Sequence, residues 1–302
     1  MKHKRLYIYL GIFFLVVLVG GVWFLNAPVP DEDLITFEDE EIPLGPPSLS
    51  GSYEAGYGIT WTRGSEGDQL TRFTNNDQTA KVVLIGNTDE SVQLTGLTRD
   101  EAEAILGSPI TRYNSIRIPV ITGTSKEYYN LDGDLVILYF DGNASETVLF
   151  STQMDRSMAS ETKVFTSSNI DPYSSGDFEA MTIELLNAIR VNYGKEPLIL
   201  NNAAADVSRS HSQSMVDKNY FAHINLEGLT PKDRLRAADV PFRNYGEALT
   251  AGVWTPMDVI TVWMNSPAHR EILLGDFNSG GLGLATGDAS YGIYFTLNLI
   301  LN

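Results

Sequence analysis

Residues 263–270 read WMNSPAHR, and the middle of this stretch is a helix start. A serine before a proline places a capping hydroxyl next to a residue whose fixed φ suits the first helical position. A threonine before a proline gives the same signal at 230–231 and at 255–256. The pattern therefore predicts three helix starts in this region, with His269 at about the third position of the last helix.

Two more helices are predicted before these three. Apolar residues recur at helical spacing over 178–189, and Asn201 or the residue after it caps a second helix, in which His211 lies on the apolar face. After a Gly-Gly pair, strands are predicted at 282–286 and 293–300, joined by a turn. Helices around a small antiparallel sheet indicate an α/β sandwich.

Composition and charge exclude several classes of protein. The chain has 302 residues, is 43% hydrophobic and 20% charged, and is long enough for about two ordinary domains. Lys plus Arg number 21 against 38 Asp plus Glu, and the net charge of −17 repels nucleic acid. Because there is no cysteine, the chain has no disulfide, no thiolate metal site and no cysteine nucleophile.

The N-terminus predicts a membrane anchor. Residues 6–25 carry no charged side chain and are long enough to cross a bilayer as a helix. Cations precede this segment and acidic residues follow it, so residues 1–27 are interpreted as a cytoplasmic tail and single-pass anchor in the cell membrane, with the rest of the chain outside. A cleaved signal peptide is the alternative, although 23–28 offers a poor cleavage site. Residues 28–43 form an acidic linker.

Residues 44–153 are interpreted as a separate, β-rich α+β domain with a structural or partner-binding role. They contain a weak internal repeat of β-rich stretches, and a capping box at 98–101 predicts one helix with Ala102 and Ile105 on its apolar stripe. Residues 154–177 are rich in Ser and Thr, lack periodicity and are interpreted as a linker to a second domain at 178–302.

Three of the four histidines lie in that second domain. His223, Glu247 and His269 would supply two imidazoles and one carboxylate, the three protein ligands of an open zinc site with water in the fourth position. The start of a helix disfavours an imidazolium ion, so the predicted position of His269 favours a neutral ring.

Five motifs follow one another in the C-terminal part: HSQSM at 211–215, NYFAH at 219–223, GE at 246–247, WMNSPAHR at 263–270 and GLG at 281–283. Their order resembles the bacterial branch of the CAP superfamily, which is named for cysteine-rich secretory proteins, antigen 5 and pathogenesis-related proteins of group 1. The resemblance implies an α-β-α sandwich for 178–302. Residues 44–153 resemble, more weakly, a domain that often precedes CAP domains in Firmicutes.

The resemblance also implies a cleft. Members of the family have a cleft lined by two histidines and two glutamates, and some of them bind a divalent metal there. This chain matches three of those four positions, has Ser266 where the family often has the second glutamate, and has Ala248 where an asparagine usually stands. The predicted cleft residues are His211, His223, Glu247, Trp263, Ser266 and His269.

Three functions are compatible with this sequence. The favoured one is a non-catalytic module that binds a lipid, peptide or cell-envelope ligand in the cleft. The first alternative is a metal-dependent hydrolase or peptidase that uses His223, Glu247 and His269 with a divalent ion such as zinc, and catalysis is left open. The second alternative is a structural surface protein that binds a partner. The chain lacks the H-E-x-x-H and G-x-S-x-G motifs of hydrolases.

Overall fold

The structure is a computed structural model. The predicted anchor at 6–25, the acidic linker at 28–43 and nearly all of the predicted linker at 154–177 lie outside the residues it describes. Within the described part, no helix has both the length and the hydrophobicity to cross a membrane. The described residues are 52–54, 60–66, 70–75, 80–85, 94–113, 116–117, 125–143, 146–154 and 175–302.

The N-terminal part is built on a seven-stranded sheet with the order β1-β2-β3-β4-β9-β8-β7. All of its strand pairs are antiparallel. The elements are β1 (Ser52–Glu54), β2 (Thr60–Glu66), β3 (Leu70–Asn75), β4 (Ala80–Ile85), α1 (Arg99–Leu106), β5 (Arg112–Tyr113), β6 (Ile116–Arg117), β7 (Lys126–Leu131), β8 (Asp134–Asp141) and β9 (Thr147–Met154).

Helix α1 begins at the predicted capping box. The Thr98 side chain accepts from the backbone N–H of Glu101, and the Glu101 side chain accepts in return from the N–H of Thr98. The helix ends at Gly107, whose φ of 78° is accessible mainly to glycine. The predicted apolar stripe was wrong in one position, because Ile105 is 45% exposed and Leu106 is buried instead.

The C-terminal part contains all five predicted helices. The predicted caps are confirmed at Asn201, Thr230, Thr255 and Ser266, and a proline follows each of the last three. The elements are α2 (Ser175–Asn192), β10 (Ile199–Leu200), α3 (Asn202–Lys218), α4 (Pro231–Ala237), β11 (Asn244–Ala251), α5 (Pro256–Met264), α6 (Pro267–Leu273), β12 (Ser279–Thr286) and β13 (Ile293–Leu301).

These helices surround a four-stranded sheet with the order β10-β12-β13-β11. The two predicted strands are its centre, β12 and β13. The sequence analysis missed β11, which pairs antiparallel with β13 and carries Glu247, and β10, which pairs parallel with β12. The sheet is therefore mixed, not purely antiparallel.

The two faces of this sheet differ in chemistry. Leu282, Leu297 and Leu299 point to one side, into a hydrophobic cluster that includes residues of α2, α5 and α6. On the other side helix α3 covers Gly281, Gly283, Thr296 and Asn298 in the middle of β12 and β13. At the two ends of this face, Ile300 and Tyr294 pack in apolar clusters with residues of α3. This is an α-β-α sandwich in which one interface is apolar throughout and the other is polar in its middle and apolar at its ends.

Helix α3 sits directly on the sheet at two glycines. A Cβ atom at Gly281 would lie 2.2 Å from the backbone N of Ala205, and a Cβ at Gly283 would lie 2.0 Å from the backbone N of Arg209. The Ser208 and Ser212 hydroxyls donate to the carbonyls of these two glycines, at 2.8 Å in both cases. Backbone contact and paired hydrogen bonds together fix the helix against the sheet.

The two parts of the chain share one hydrophobic cluster. Tyr139 and Phe150 of the N-terminal sheet stack with ring centroids 4.6 Å apart, and they belong to the same buried cluster as Met181 and Trp263 of the C-terminal part. The division into domains at 154–177 stays a prediction, but the described residues on either side of it are packed together.

Candidate functional site

The centre of the site is a contact between His223 and Glu247. His223 lies in the loop after α3, and Glu247 lies in β11 with its side chain only 2% exposed. His223 Nδ1 is 2.8 Å from Glu247 Oε1. A carboxylate can only accept, so Nδ1 carries the proton and Nε2 is left as the acceptor nitrogen of the ring. The structure thus brings together two of the residues that the sequence singled out.

Arg234 of α4 is a third member of the site, which the sequence analysis did not find. Its Nη2 donates to Glu247 Oε2 at 2.6 Å, and its Nη1 donates to the carbonyls of His223 and Leu229, at 2.8 and 2.9 Å. The side chain is 9% exposed. One guanidinium therefore pairs with the buried carboxylate and ties both ends of the loop at 223–229.

These partners keep Glu247 ionised. Burial alone would raise the pKa of Glu247, but the hydrogen bond from His223 and the positive charge of Arg234 outweigh burial and hold the pKa below its ordinary value. A carboxylate of lowered pKa is a weak base, and both of its oxygens already accept hydrogen bonds. This chemistry suits a fixed charge better than a proton carrier.

His211 lies beneath this cluster on the buried face of α3. Its Nε2 is 2.9 Å from the carbonyl O of Ala222, so Nε2 carries the proton, and the buried Nδ1 has no partner in the described part of the chain. Burial lowers the pKa of His211 to about 4. The ring stays neutral near pH 7 and supports the chain just before His223.

His269 occupies the predicted third position of α6. Its Nδ1 is buried, again without a partner among the described residues, and electrostatic interaction links the ring to His223. The pKa of His269 is lowered to about 4, mainly by burial and secondarily by His223. The ring is neutral as predicted, but the main cause is burial, whereas the sequence analysis expected the helix end to be responsible.

The other two predicted cleft residues are Trp263 and Ser266. Trp263 is fully buried in the hydrophobic cluster, where its indole N–H donates to the carbonyl of Leu249 at 3.1 Å. A side chain without exposed surface cannot contact a ligand, so its assignment to the cleft was wrong. Ser266 is the cap of α6, and its hydroxyl makes no capping hydrogen bond.

The side chains present do not fit a divalent metal in this arrangement. Both Glu247 oxygens are engaged, one of them by Arg234, which already supplies the positive charge that a metal would bring. Across the described ranges, no group of three or more His, Cys, Asp or Glu side chains is placed to hold a metal ion. The zinc site on His223, Glu247 and His269 stays a prediction from the sequence.

Exposed aliphatic side chains border the cluster. Ile224, Leu226 and Leu229 all belong to the loop tied by Arg234, and they are 46%, 64% and 41% exposed. Asn225 holds the loop in shape, because its side chain accepts from the N–H of Leu229 at 2.7 Å. A polar cluster and an apolar rim thus lie side by side. An open groove of about 580 Å³ along α3 includes none of these residues.

The sequence profile of the cysteine-rich secretory protein family, CAP, matches residues 183–299. This part of the chain is a CAP domain. Two Bacillus subtilis proteins are similar to part of the chain: YkwD, 34% identical over 113 residues, and the membrane protein YlbC, 33% identical over 107 residues. The aligned segments cover 37% and 35% of this chain but only 44% and 31% of those relatives.

Solved structures show the same fold over a longer stretch. An extracellular Bacillus anthracis protein containing an SCP domain covers 91% of this chain and 100% of its own, with a TM-score of 0.69 and 19% identity. A Staphylococcus aureus cysteine-rich secretory protein covers 81% of this chain and 84% of its own, with a TM-score of 0.57 and 16% identity. The chain thus shares its fold with these bacterial SCP proteins, and the CAP domain carries the α+β fold predicted for it.

The CAP domain should lose stability as pH falls from 6.5 to 4. His211 and His269 have pKa values of about 4 when folded against 6.5 for an ordinary histidine. In this pH window the unfolded chain therefore binds protons that the folded chain does not. Each of the two histidines lowers the free energy of unfolding by up to about 3 kcal/mol. Urea unfolding at several pH values measures the slope of the unfolding free energy against pH. His211→Gln keeps the bond to Ala222 and should flatten it, and an unchanged slope in this variant would contradict the assignment.

Proposed function

We propose that the protein is a membrane-anchored, extracytoplasmic CAP protein that binds an amphiphilic lipid or peptide ligand of the cell envelope without catalysis. The anchor is the apolar segment at 6–25. The observation that carries the proposal is the adjacency of the buried Glu247 and Arg234 pair to a loop with exposed aliphatic side chains. Sites for such ligands combine apolar surface with a few fixed polar groups.

The apolar rim would hold the hydrocarbon part of the ligand. Ile224, Leu226 and Leu229 lie on one short loop, and exposed aliphatic side chains grouped in this way are typical of binding surfaces. Arg234 fixes both ends of this loop, so little conformational freedom is lost when a ligand packs on it. The polar part of the ligand would meet His223, whose side chain is 25% exposed.

A catalytic alternative has one specific observation in its favour. The Nδ1–H of His223 is held by Glu247, which leaves Nε2 as an acceptor, and this is the arrangement in which a carboxylate orients a histidine base. Under this alternative His223 would take a proton from water or from a substrate hydroxyl, while Glu247 would stabilise the resulting imidazolium. The metal-dependent version is not needed for this chemistry.

Binding of a fluorescent fatty acid, dansyl-undecanoic acid, tests the proposal. The variant Ile224→Ser/Leu226→Ser should bind about tenfold more weakly, because two partly buried aliphatic contacts are lost. Ile199→Ser/Leu200→Ser is a matched control, since these residues are 38% and 39% exposed on β10 and lie outside the loop. Equal affinity of both variants, or no binding by the natural chain, would contradict a lipid site at this loop.

The same preparation separates binding from catalysis. Bound envelope lipids and peptides are recovered from the protein after incubation and compared by mass spectrometry with the material supplied. Recovery of unchanged ligand is the expected result. Conversion of ester or peptide bonds by the natural chain, abolished in His223→Gln, would favour the catalytic alternative.

A further inference from the structure

We propose that the N-terminal sheet positions His269 of the CAP domain. The positioning groups are Asp141 and the residues of the N-terminal part that form hydrogen bonds with Asn265. The inference deepens the proposed function, since it takes His269 as part of the site. The residues at the start of β7 and at the end of β8 would thus shape that site from outside the CAP domain. The argument rests on where the contacts between the two parts of the chain fall.

Asn265, between α5 and α6, is the centre of these contacts. Its Oδ1 accepts from the N–H of Gly142 at 2.6 Å and from the hydroxyl of Ser125 at 3.1 Å. Its Nδ2 donates to the carbonyls of Phe140 and Thr261, at 2.9 Å in both cases. Two acceptor sites and two donors are all that an amide side chain offers, and three of the four are used by the N-terminal part.

A buried ion pair holds the next helix. Arg270 Nη1 is 2.6 Å from Asp141 Oδ2, and the Asp141 side chain is fully buried. Tyr193 donates to the same carboxylate at 2.6 Å, and its ring lies 4.8 Å from the Arg270 guanidinium carbon. Arg270 directly follows His269, so Asp141 restrains the first turns of α6. Charge-assisted bonds of this kind have defined geometry.

Further contacts hold the start of α5 and the segment before Asn265. Lys126 Nζ is 2.7 Å from Asp258 Oδ1, and Asp258 also accepts from the cap residue Thr255 at 2.9 Å. The Asn143 side chain donates to the carbonyl of Met264 at 2.9 Å. The N-terminal part therefore contacts α5 at both of its ends and α6 at Arg270.

The opposite side of α6 packs against β11, the strand that carries Glu247. A Cβ atom at Gly246 would lie 2.8 Å from Cγ2 of Ile272, so α6 approaches β11 closely at the residue next to Glu247. His269 is thus placed by two supports, with β11 on one side and Asp141 on the other. A change at Asp141 should move the ring relative to His223 and Glu247.

Histidine ring NMR of the complete chain, uniformly labelled at histidine nitrogen and held at one pH, tests this inference. In Asp141→Asn the His269 ring signals should move by more than their line width, while the His211 signals stay in place. Amides of α6 should exchange hydrogen at least about tenfold faster, the factor expected when one hydrogen bond to a charged group is lost. Adding Arg270→Gln, which restores a neutral amide pair, should bring part of the shift back.

Glu179→Gln supplies the control, because it weakens a partly buried pair with Arg209 in the CAP domain, where Glu179 contacts β12 and not α6. A similar loss of stability without movement of the His269 signals is expected. Equal shifts in both variants, or none in either, would overturn the inference. If Asp141→Asn does not fold, Asn143→Ala removes one contact to Met264 and must still move His269. Because no ligand is present, failure of the proposed function leaves this result unaffected.

Discussion

Replacing Gly283 by Ala should destabilise the protein by about 4 kcal/mol or more. The new Cβ would lie 2.0 Å from the backbone N of Arg209 and 2.5 Å from the carbonyl carbon of Ser208. Both neighbours are helix backbone, so neither can move aside without lifting α3 from the sheet. Urea unfolding followed by circular dichroism measures the loss, and an insoluble or unfolded product is the same result in its extreme form.

Gly176→Ala is the matched control for this change. Gly176 lies in α2 near its start, nothing lies within 4 Å of a Cβ built there, and no left-handed φ is needed. Alanine should leave stability unchanged or raise it by about 0.5–1 kcal/mol, because glycine is the poorer helix former. Tolerance of alanine at Gly283 to a similar degree would show that α3 does not sit on the sheet as described.

Replacing Arg190 by Met should cost about 3–5 kcal/mol. The Arg190 side chain is buried, and its guanidinium donates to the carbonyls of Glu196, Leu273, Gly275 and Phe277 at 2.6 to 3.1 Å. Methionine keeps much of the volume but leaves these carbonyls without their charged donor. Burial lowers the pKa of Arg190, so part of the loss is offset by relief of that desolvation.

In thermal and urea unfolding, the natural chain should be the most stable, Arg190→Lys less stable and Arg190→Met the least stable. A lysine ammonium can reach one or two of the carbonyls but lacks the planar fork that reaches four. Arg243→Met is the control, because Arg243 is exposed and such surface changes alter stability by no more than about 0.5 kcal/mol. An equal effect at both positions would show that the carbonyl cluster contributes nothing specific.

The helices could be predicted because their starts carry local signals. A capping side chain followed by proline acts within one turn, so Thr230, Thr255 and Ser266 marked helix starts without any knowledge of the fold. Strand β11 could not be found in this way. Its sequence, NYGEALTA, lacks an apolar alternation, since one face carries the small residues Gly246, Ala248 and Thr250 and the other is interrupted by the buried Glu247.

The site was predicted only in part for a related reason. Histidines are few in this chain, which drew attention to His223 and His269, whereas Arg234 is one of many cations and its spacing from Glu247 says nothing about contact. A glutamate buried in a strand needs a charged partner, but this signal requires knowledge of β11, which the sequence analysis did not find. Trp263 was misplaced because a motif identifies neighbours along the chain and not which face of a helix meets the core.

The seating of α3 on Gly281 and Gly283 limits where the protein can adapt. A helix that rests on apolar side chains can slide or roll by repacking them, but α3 touches the sheet through backbone atoms and has a single permitted register. The backbone of His211 is therefore fixed against the sheet, and its ring is held by the hydrogen bond to the carbonyl of Ala222. The loop at 223–229, whose two ends are bound by Arg234, is then the part that can adjust to ligands of different size. Among related proteins, sequence differences that change ligand choice should therefore concentrate in that loop, while the two glycines stay fixed.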